Sequence, residues 1–321
     1  MPLTLTLAFS SHRPEILPLA ADLMSRHDQV VVEEPPTPEF DGMLAGELSP
    51  DDYLQSVDFE YPDFVRASAR LLRKLVGRGI AVWACEPFTT RLIDIHEHLA
   101  AGGRPADFES DAHLGPVYAA ERRATGRLLA FYNAAAGADF DQLLAAVCVF
   151  AQADAARFVL RDQLRARAIA NRLADCRERV YVEAGYLHLR LLQELRRRLP
   201  TDVAIRPYYL LQDVYRAGGH RGHYYGPGDR LTLAFIFDRP PAPERQHCLA
   251  ARSLIYTQLV LKEEISPGVD AFPDAREEMR VIGLVDRLSL DDCRRLHARF
   301  KHLKSLAGRR AMVGLPEPVA P

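Results

Sequence analysis

Leu3-Thr4-Leu5-Thr6-Leu7-Ala8-Phe9-Ser10-Ser11-His12-Arg13-Pro14-Glu15 and Arg179-Val180-Tyr181-Val182-Glu183-Ala184-Gly185-Tyr186-Leu187-His188 each run from an apolar segment into a short turn carrying a histidine. Alternating apolar residues in the first, and the Val180-Tyr181-Val182 run in the second, predict strands. Helical spacing follows each turn: Ile16, Leu19, Ala20 and Leu23 within 15–26, and the leucines of 189–199. A second strand then closes each unit, Gln29–Val32 in one and Val203–Tyr209 in the other. Strand, histidine turn, helix and strand therefore occur twice. Ligands in doubly wound sheets bind beyond the carboxyl ends of the strands, so His12 and His188 are expected to meet in one crevice.

Between and beyond these halves the chain is mostly helical. Gln29–Val32 ends in Glu33-Glu34-Pro35-Pro36, two carboxylates and a stiff loop. An amphipathic helix is expected over Asp63–Val76, closed by Gly77, with a third strand over Ile80–Cys85 ending at Glu86-Pro87. Thr89 to about Ala174 reads as a helical insertion, broken at Gly102-Gly103-Arg104-Pro105 and at Gly137. After about Tyr215 a Gly/His/Tyr-rich loop (Ala217–Asp229) leads to an expected strand over Leu231–Phe237, helices over Leu249–Glu264 and Leu290–Leu306, and a frayed proline-rich tail, Gly314–Pro321. The expected class is α/β, with a central mixed, largely parallel sheet built from two strand–histidine–helix–strand halves. A core over 1–215 holds the insertion at about 89–174, and 216–321 is an extension packed on that core.

Composition narrows the function classes. The 321 residues, 48% hydrophobic and 26% charged, suffice for a sizeable core. A formal net charge of -2 supplies no field for nucleic acid or an anionic membrane, and neither partner is expected. Five cysteines, Cys85, Cys148, Cys176, Cys248 and Cys293, lie far apart without Cys-x-x-Cys spacing, which points to a reducing compartment. The amino-terminal run lacks a basic lead and is broken by Ser10-Ser11-His12, so it reads as a strand rather than a signal peptide. The apolar stretch Leu143–Ala151 is shorter than a bilayer span. A cytoplasmic setting follows, and the oligomeric state is left open.

Histidine and carboxylate together can ligate a divalent metal or serve as acid and base in hydrolysis. The candidates are His12, His188, and Glu33 or Glu34, which point to opposite faces if the strand stays regular, so that one of them enters the site. Glu15, three residues after His12, can ligate, orient His12 or act as base; it is equally a favourable acid at a helix start. Either histidine alone could simply satisfy backbone groups at a strand end. Arg161 and Asp162 sit among Arg157, Arg165, Arg167 and Arg172 in a helical stretch whose default reading is a solvated basic face. His96-Glu97-His98 is a poor chelate on a helix, because residues two apart diverge. His220-Arg221-Gly222-His223-Tyr224-Tyr225 is either a turn-rich connection or a lid over the site.

Strand-Ser10-Ser11-His12-Arg13-Pro14-Glu15, strand-Glu33-Glu34, helix-Leu160-Arg161-Asp162 and strand-Gly185-Tyr186-Leu187-His188, in this order, resemble the TraB/Tiki domains, a superfamily similar in fold to erythromycin esterases and to the ChaN heme-binding lipoproteins. The resemblance covers about residues 3 to 200. It implies that His12 and His188 are the two motif histidines, Glu33 or Glu34 the strand-end acid and Arg161 the helical arginine. Two residues depart from the pattern: Phe9 stands where the first motif would have glycine, and Glu183 puts a carboxylate in a strand. The implied function is a metal-dependent or histidine-activated hydrolase of amide or ester bonds in a small molecule or peptide, with His12, Glu15, Arg161 and His188 catalytic. His12, Glu33, Glu34 and His188 would hold the divalent metal, whose identity is open. The alternative is a non-catalytic protein on the same fold that holds heme, a peptide or a signalling partner.

Overall fold

The computed structural model describes residues 3–56, 60–137, 139–220 and 223–317. Proline sets many of the helix starts: among the described residues it occupies the first turn of eleven helical segments, where its missing N–H costs nothing and its fixed φ suits the helix. In chain order the elements of the first half are β1 (Thr4–Ser10), α1 (Leu17–Met24), β2 (Gln29–Val32), α2 (Pro38–Ala45), α3 (Pro50–Ser56), α4 (Pro62–Val76), β3 (Ala81–Ala84), α5 (Pro87–Ala100), α6 (Gly115–Gly137) and α7 (Phe140–Arg172). There follow β4 (Arg179–Gly185), α8 (Leu189–Arg198), β5 (Ala204–Tyr209), α9 (Gln212–Ala217), α10 (Pro227–Ile236), α11 (Pro243–Tyr256), α12 (Pro273–Val285), α13 (Leu290–Phe300) and α14 (Leu306–Met312).

The five strands form one sheet in the order β3-β2-β4-β1-β5, and every pairing is parallel. The expected mixed character is thus replaced by a wholly parallel sheet. Central β1 and β4 are buried along nearly their whole length, as strands covered on both faces must be. Edge strand β5 is largely exposed and tolerates Pro207, which can donate no ladder hydrogen bond. The two halves interleave: β4 lies between β1 and β2, and β1 lies between β4 and β5. Exchanging one half for the other reverses the order β2-β4-β1-β5 onto itself, an approximate twofold relation that sets the two histidine turns side by side.

Contacts divide the chain into two compact units. The first comprises Met1–Tyr118, Leu160–Gln212 and Ser266–Ala271; the second comprises Ala119–Val159, Asp213–Ile265 and Phe272–Pro321. In the first, Leu5, Leu7, Phe9, Val180 and Val182 pack with Ala166, Ile169 and Leu173 of α7 and with Leu191 and Leu195 of α8. In the second, Leu143, Leu144 and Val147 pack with Leu231, Leu249, Leu254, Val281, Cys293 and Phe300. By length and composition α7 could cross a membrane; here Leu143, Leu144, Val147 and Ala151 line the second core and Ala166, Ile169 and Leu173 the first, while Val149 is exposed.

The segment expected as a strand at Leu231–Phe237 is helix α10. A short apolar run does not distinguish the two by periodicity; Pro227 at the helix start, the Gly226 N–H donated to Asp229 at 3.0 Å, and burial of Leu231 and Ile236 favour the helix. The outer tail Pro318–Pro321 lies outside the described residues, as do Arg221 and Gly222 of the histidine-rich loop.

Candidate functional site

Glu33 follows the last residue of β2 and is the hub of a buried polar cluster in the first unit. Its Oε1 is 2.9 Å from His188 Nε2 and 3.5 Å from Arg161 Nη2; its Oε2 is 3.0 Å from Arg165 Nη1 and accepts the Gly185 N–H at 2.7 Å. Burial opposes its charge, but His188, Arg165 and Arg161 together outweigh burial and hold the carboxyl well below the usual range. Asp162 Oδ1 meets the other His188 nitrogen, Nδ1, at 2.5 Å. Burial alone would favour a neutral imidazole; the Glu33 and Asp162 carboxylates reverse this and push the ring up to about 9. His188 is therefore an imidazolium at neutral pH.

Helix α7 supplies the cations. Asp162 and Arg165 have no solvent exposure, and Arg165 donates from Nε to the Cys85 carbonyl at 2.8 Å and from Nη2 to the Glu183 carbonyl at 2.7 Å. It thereby ties the carboxyl ends of β3 and β4. Arg161, one turn earlier on the same face, bridges Glu33 and Glu86, each at 3.5 Å.

The cluster opens onto a cavity of about 200 Å³ whose charged and histidine lining is His12, Glu33, Glu34, Glu60, Arg161 and Glu183. The His12 ring stacks on Phe64 with centroids 5.3 Å apart. Burial, and then the charges of Glu183, Glu33 and Glu86, push the Glu34 carboxyl up to about 8. Glu183, which accepts the Glu33 N–H at 3.2 Å, is raised chiefly by burial. The two histidine turns are pinned to each other by the Tyr186 N–H donated to the Ser10 carbonyl at 3.0 Å. A Cβ added to Gly185 would stand 3.4 Å from His188 Cδ2, 3.7 Å from Glu33 Oε2 and 3.8 Å from His12 Cε1. The two histidines and Glu33 thus converge on one point at the end of β4.

Of the residues singled out in the sequence, His12, Glu33, Glu34 and Arg161 line the cavity, and His188 joins them through Glu33. Glu33 and Glu34 both enter, because β2 ends at Val32 and strand alternation no longer governs them. Glu15 is buried on the short helical turn Pro14–Ile16 and is not among the cavity-lining residues. Glu183, Glu86, Asp162 and Arg165 complete the cluster; the acid inside a strand and the acid-ended β3 were the sequence signals for the first two. Phe9, in place of the motif glycine, stacks on Tyr209 at 5.0 Å. It pairs with Ala184, while Ser10 pairs with Gly185, so the His12 turn is one residue shorter than the His188 turn.

Among the described residues no group of three His, Cys, Asp or Glu is arranged to hold a metal ion. Both ring nitrogens of His188 are held by carboxylates, and Glu33 is balanced by arginine and imidazolium. As they stand, these residues fit an ion-paired cluster better than a metal cage. His96 and His98 are exposed on α5. His220 and His223 belong to the second unit, where His220 stacks on Tyr224 and His223 packs against Tyr215 and Tyr225.

An uncharacterized protein from Archaeoglobus fulgidus is 28% identical to this chain over 297 residues, which are 91% of this chain and 97% of that protein. No protein-family model matches the chain, and no solved structure matches it.

Proposed function

We propose that the protein is a hydrolase of ester or amide bonds that works by metal-free histidine–carboxylate chemistry, on a fold similar to the TraB/Tiki, erythromycin esterase and ChaN group. The observation that carries this is the convergence of His12, Glu33 and His188 on one point beside a cavity. His12, half-buried in the cavity wall, is the base that takes a proton from the attacking water and then returns it to the leaving group. Arg161 faces the oxyanion that develops on the scissile carbonyl. His188, fixed by Asp162 and Glu33, positions the strand-end carboxylate rather than exchanging protons. Five free cysteines support a cytoplasmic setting.

The test is a panel of p-nitrophenyl esters and aminoacyl p-nitroanilides, run with and without chelator, on the wild type, His12→Ala and His188→Ala, with folding checked by circular dichroism. Turnover that survives chelation and disappears in a folded His12→Ala variant is the expected result. Turnover abolished by chelator, with metal found at about one per chain, would replace this reading by a metallo-hydrolase using His12, Glu33, Glu34 and His188. A second reading, a non-catalytic binding protein, draws support from the engagement of both His188 nitrogens. Its signature is a ligand retained through purification with no turnover on any panel member.

A further inference from the structure

The charges around the cavity do not balance. Glu33, Glu86 and Asp162 are met by Arg161, Arg165 and His188 within 3.5 Å. Glu34, Glu60 and Glu183 also line the cavity, and among the described residues none of them has a cation within ion-pair distance; Glu60 accepts the Tyr61 hydroxyl, and Glu34 and Glu183 are the deeper pair. Glu183 is 8% exposed; one of its carboxylate oxygens takes the Glu33 N–H, and the other has no hydrogen-bond partner among the described residues. An uncompensated carboxylate at that depth is costly unless a ligand or a proton neutralises it.

Apart from Ser68, the remainder of the lining is aromatic and apolar. Phe40, Tyr53, Tyr61 and Phe64 contribute rings, with Met43 and Leu72 between them. Ring faces attract cations, and the cavity rim already shows this: the Arg13 guanidinium lies 4.2 Å from the centre of the Tyr61 ring. Phe40 and Tyr53 meet edge to face at 6.3 Å. Carboxylates beside aromatic rings recognise an alkylated nitrogen, which offers positive charge and apolar surface together. A bare divalent ion would use only the carboxylates and would leave most of the 200 Å³ unfilled.

We infer that the cavity binds an organic ammonium group, held between the Glu34 and Glu183 carboxylates and the wall formed by Phe40, Tyr53 and Phe64. As a statement about substrate class, that the ester or amide cleaved carries a cationic nitrogen, it rests on the hydrolytic reading above; as a statement about binding it does not. A neutral substrate of the same shape would leave the two carboxylates unmatched, so the nitrogen is the specificity determinant.

The experiment is calorimetric titration of the full-length protein with phenethylammonium chloride and with its neutral isostere 2-phenylethanol, repeated on Glu34→Gln and Glu183→Gln, and with manganese and zinc chloride as competing probes. The ammonium is expected to bind at least tenfold tighter than the alcohol. In Glu34→Gln the ratio falls to about twofold or less. Glu183 accepts a backbone N–H, so Glu183→Gln is expected to be less stable; Glu34, which makes no hydrogen bond among the described residues, carries the test alone if that variant does not fold. Equal binding of ammonium and alcohol overturns the inference, as does stoichiometric binding of manganese or zinc that phenethylammonium does not displace. Because binding is read without turnover, a protein that takes the ammonium and hydrolyses nothing refutes the hydrolase and leaves this inference standing.

Discussion

His188 Nδ1 stands 2.5 Å from Asp162 Oδ1, both side chains being almost completely buried. With Glu33 on the opposite nitrogen, the ring is held between two carboxylates and keeps its proton to about pH 9.

That proton links the cluster to stability. The folded-state value is raised above the 6.5 of an unperturbed histidine, so the contribution is complete below about pH 6.5 and is lost as pH rises through 9. Its size is about 3 kcal/mol. Urea unfolding between pH 6 and 10 is expected to show this alkaline decline, and Asp162→Asn is expected to move it to lower pH. A flat profile in the wild type would mean that His188 is neutral in the folded protein.

Arg165 is expected to be the most sensitive position in the cluster. Its guanidinium serves two strand-end carbonyls and Glu33 at once, with no exposure to solvent. Arg165→Met leaves a buried carboxylate short of a partner and should cost about 3–5 kcal/mol. Arg165→Lys should not rescue it, since one ammonium cannot reproduce the fork. The check is thermal unfolding of both variants; a loss below about 1 kcal/mol for Arg165→Met would remove Arg165 from the framework.

Arg165 also shows where the sequence stops being legible. The paired strand–histidine–helix–strand halves could be read from residues 3–32 and 179–209, because period-2 and period-3.6 patterns are local. Arg161, Asp162 and Arg165 lie in an arginine-rich helix that looks like any solvated face; Asp162 and Arg165 are buried, and Arg161 half-buried, because the carboxyl-terminal part of α7 packs against the sheet through Ala166, Ile169 and Leu173. Glu183 announced itself by breaking a strand's apolar pattern, whereas its partner, the Glu33 amide, is 150 residues away in the chain. The strand order, and with it the meeting of both histidines, depends on β1 and β4 pairing across the helical insertion, a contact that no short-range pattern encodes.

Glu34 acts on stability in the opposite sense to a salt-bridged acid. Its folded-state value, about 8, lies above the 4.5 of an unperturbed glutamate, so the folded state binds the proton more tightly. Its favourable contribution is complete below about pH 4.5 and is lost as pH rises through 8. Glu34→Gln, which resembles the protonated acid, should therefore match the wild type near pH 4 and exceed it in Tm increasingly up to pH 8. Binding of phenethylammonium to the wild type at pH 7 should release protons, visible as a dependence of the calorimetric heat on buffer ionisation enthalpy. A Glu34→Gln variant no more stable than wild type at pH 8 would show that Glu34 is already ionised in the empty cavity.

Gly185 tests whether the convergence point is where chemistry happens. An alanine Cβ there makes only ordinary contacts, 3.4–3.8 Å from His188, Glu33 and His12, so Gly185→Ala should fold with stability within about 1 kcal/mol of wild type. The same methyl occupies the space on which the three functional groups close, and water or a scissile carbonyl placed between His12 and Glu33 would be displaced. The expected loss in kcat/KM is tenfold or more on whichever ester the wild type cleaves. Gly185→Val pushes further atoms into the same groups and should add about 1–3 kcal/mol of destabilisation through overpacking. Measuring Tm and kcat/KM on both variants separates the two effects: a Gly185→Ala protein with unchanged activity would move the reacting atoms away from the end of β4 and toward the aromatic wall, and the roles given to His12 and Arg161 would go with them.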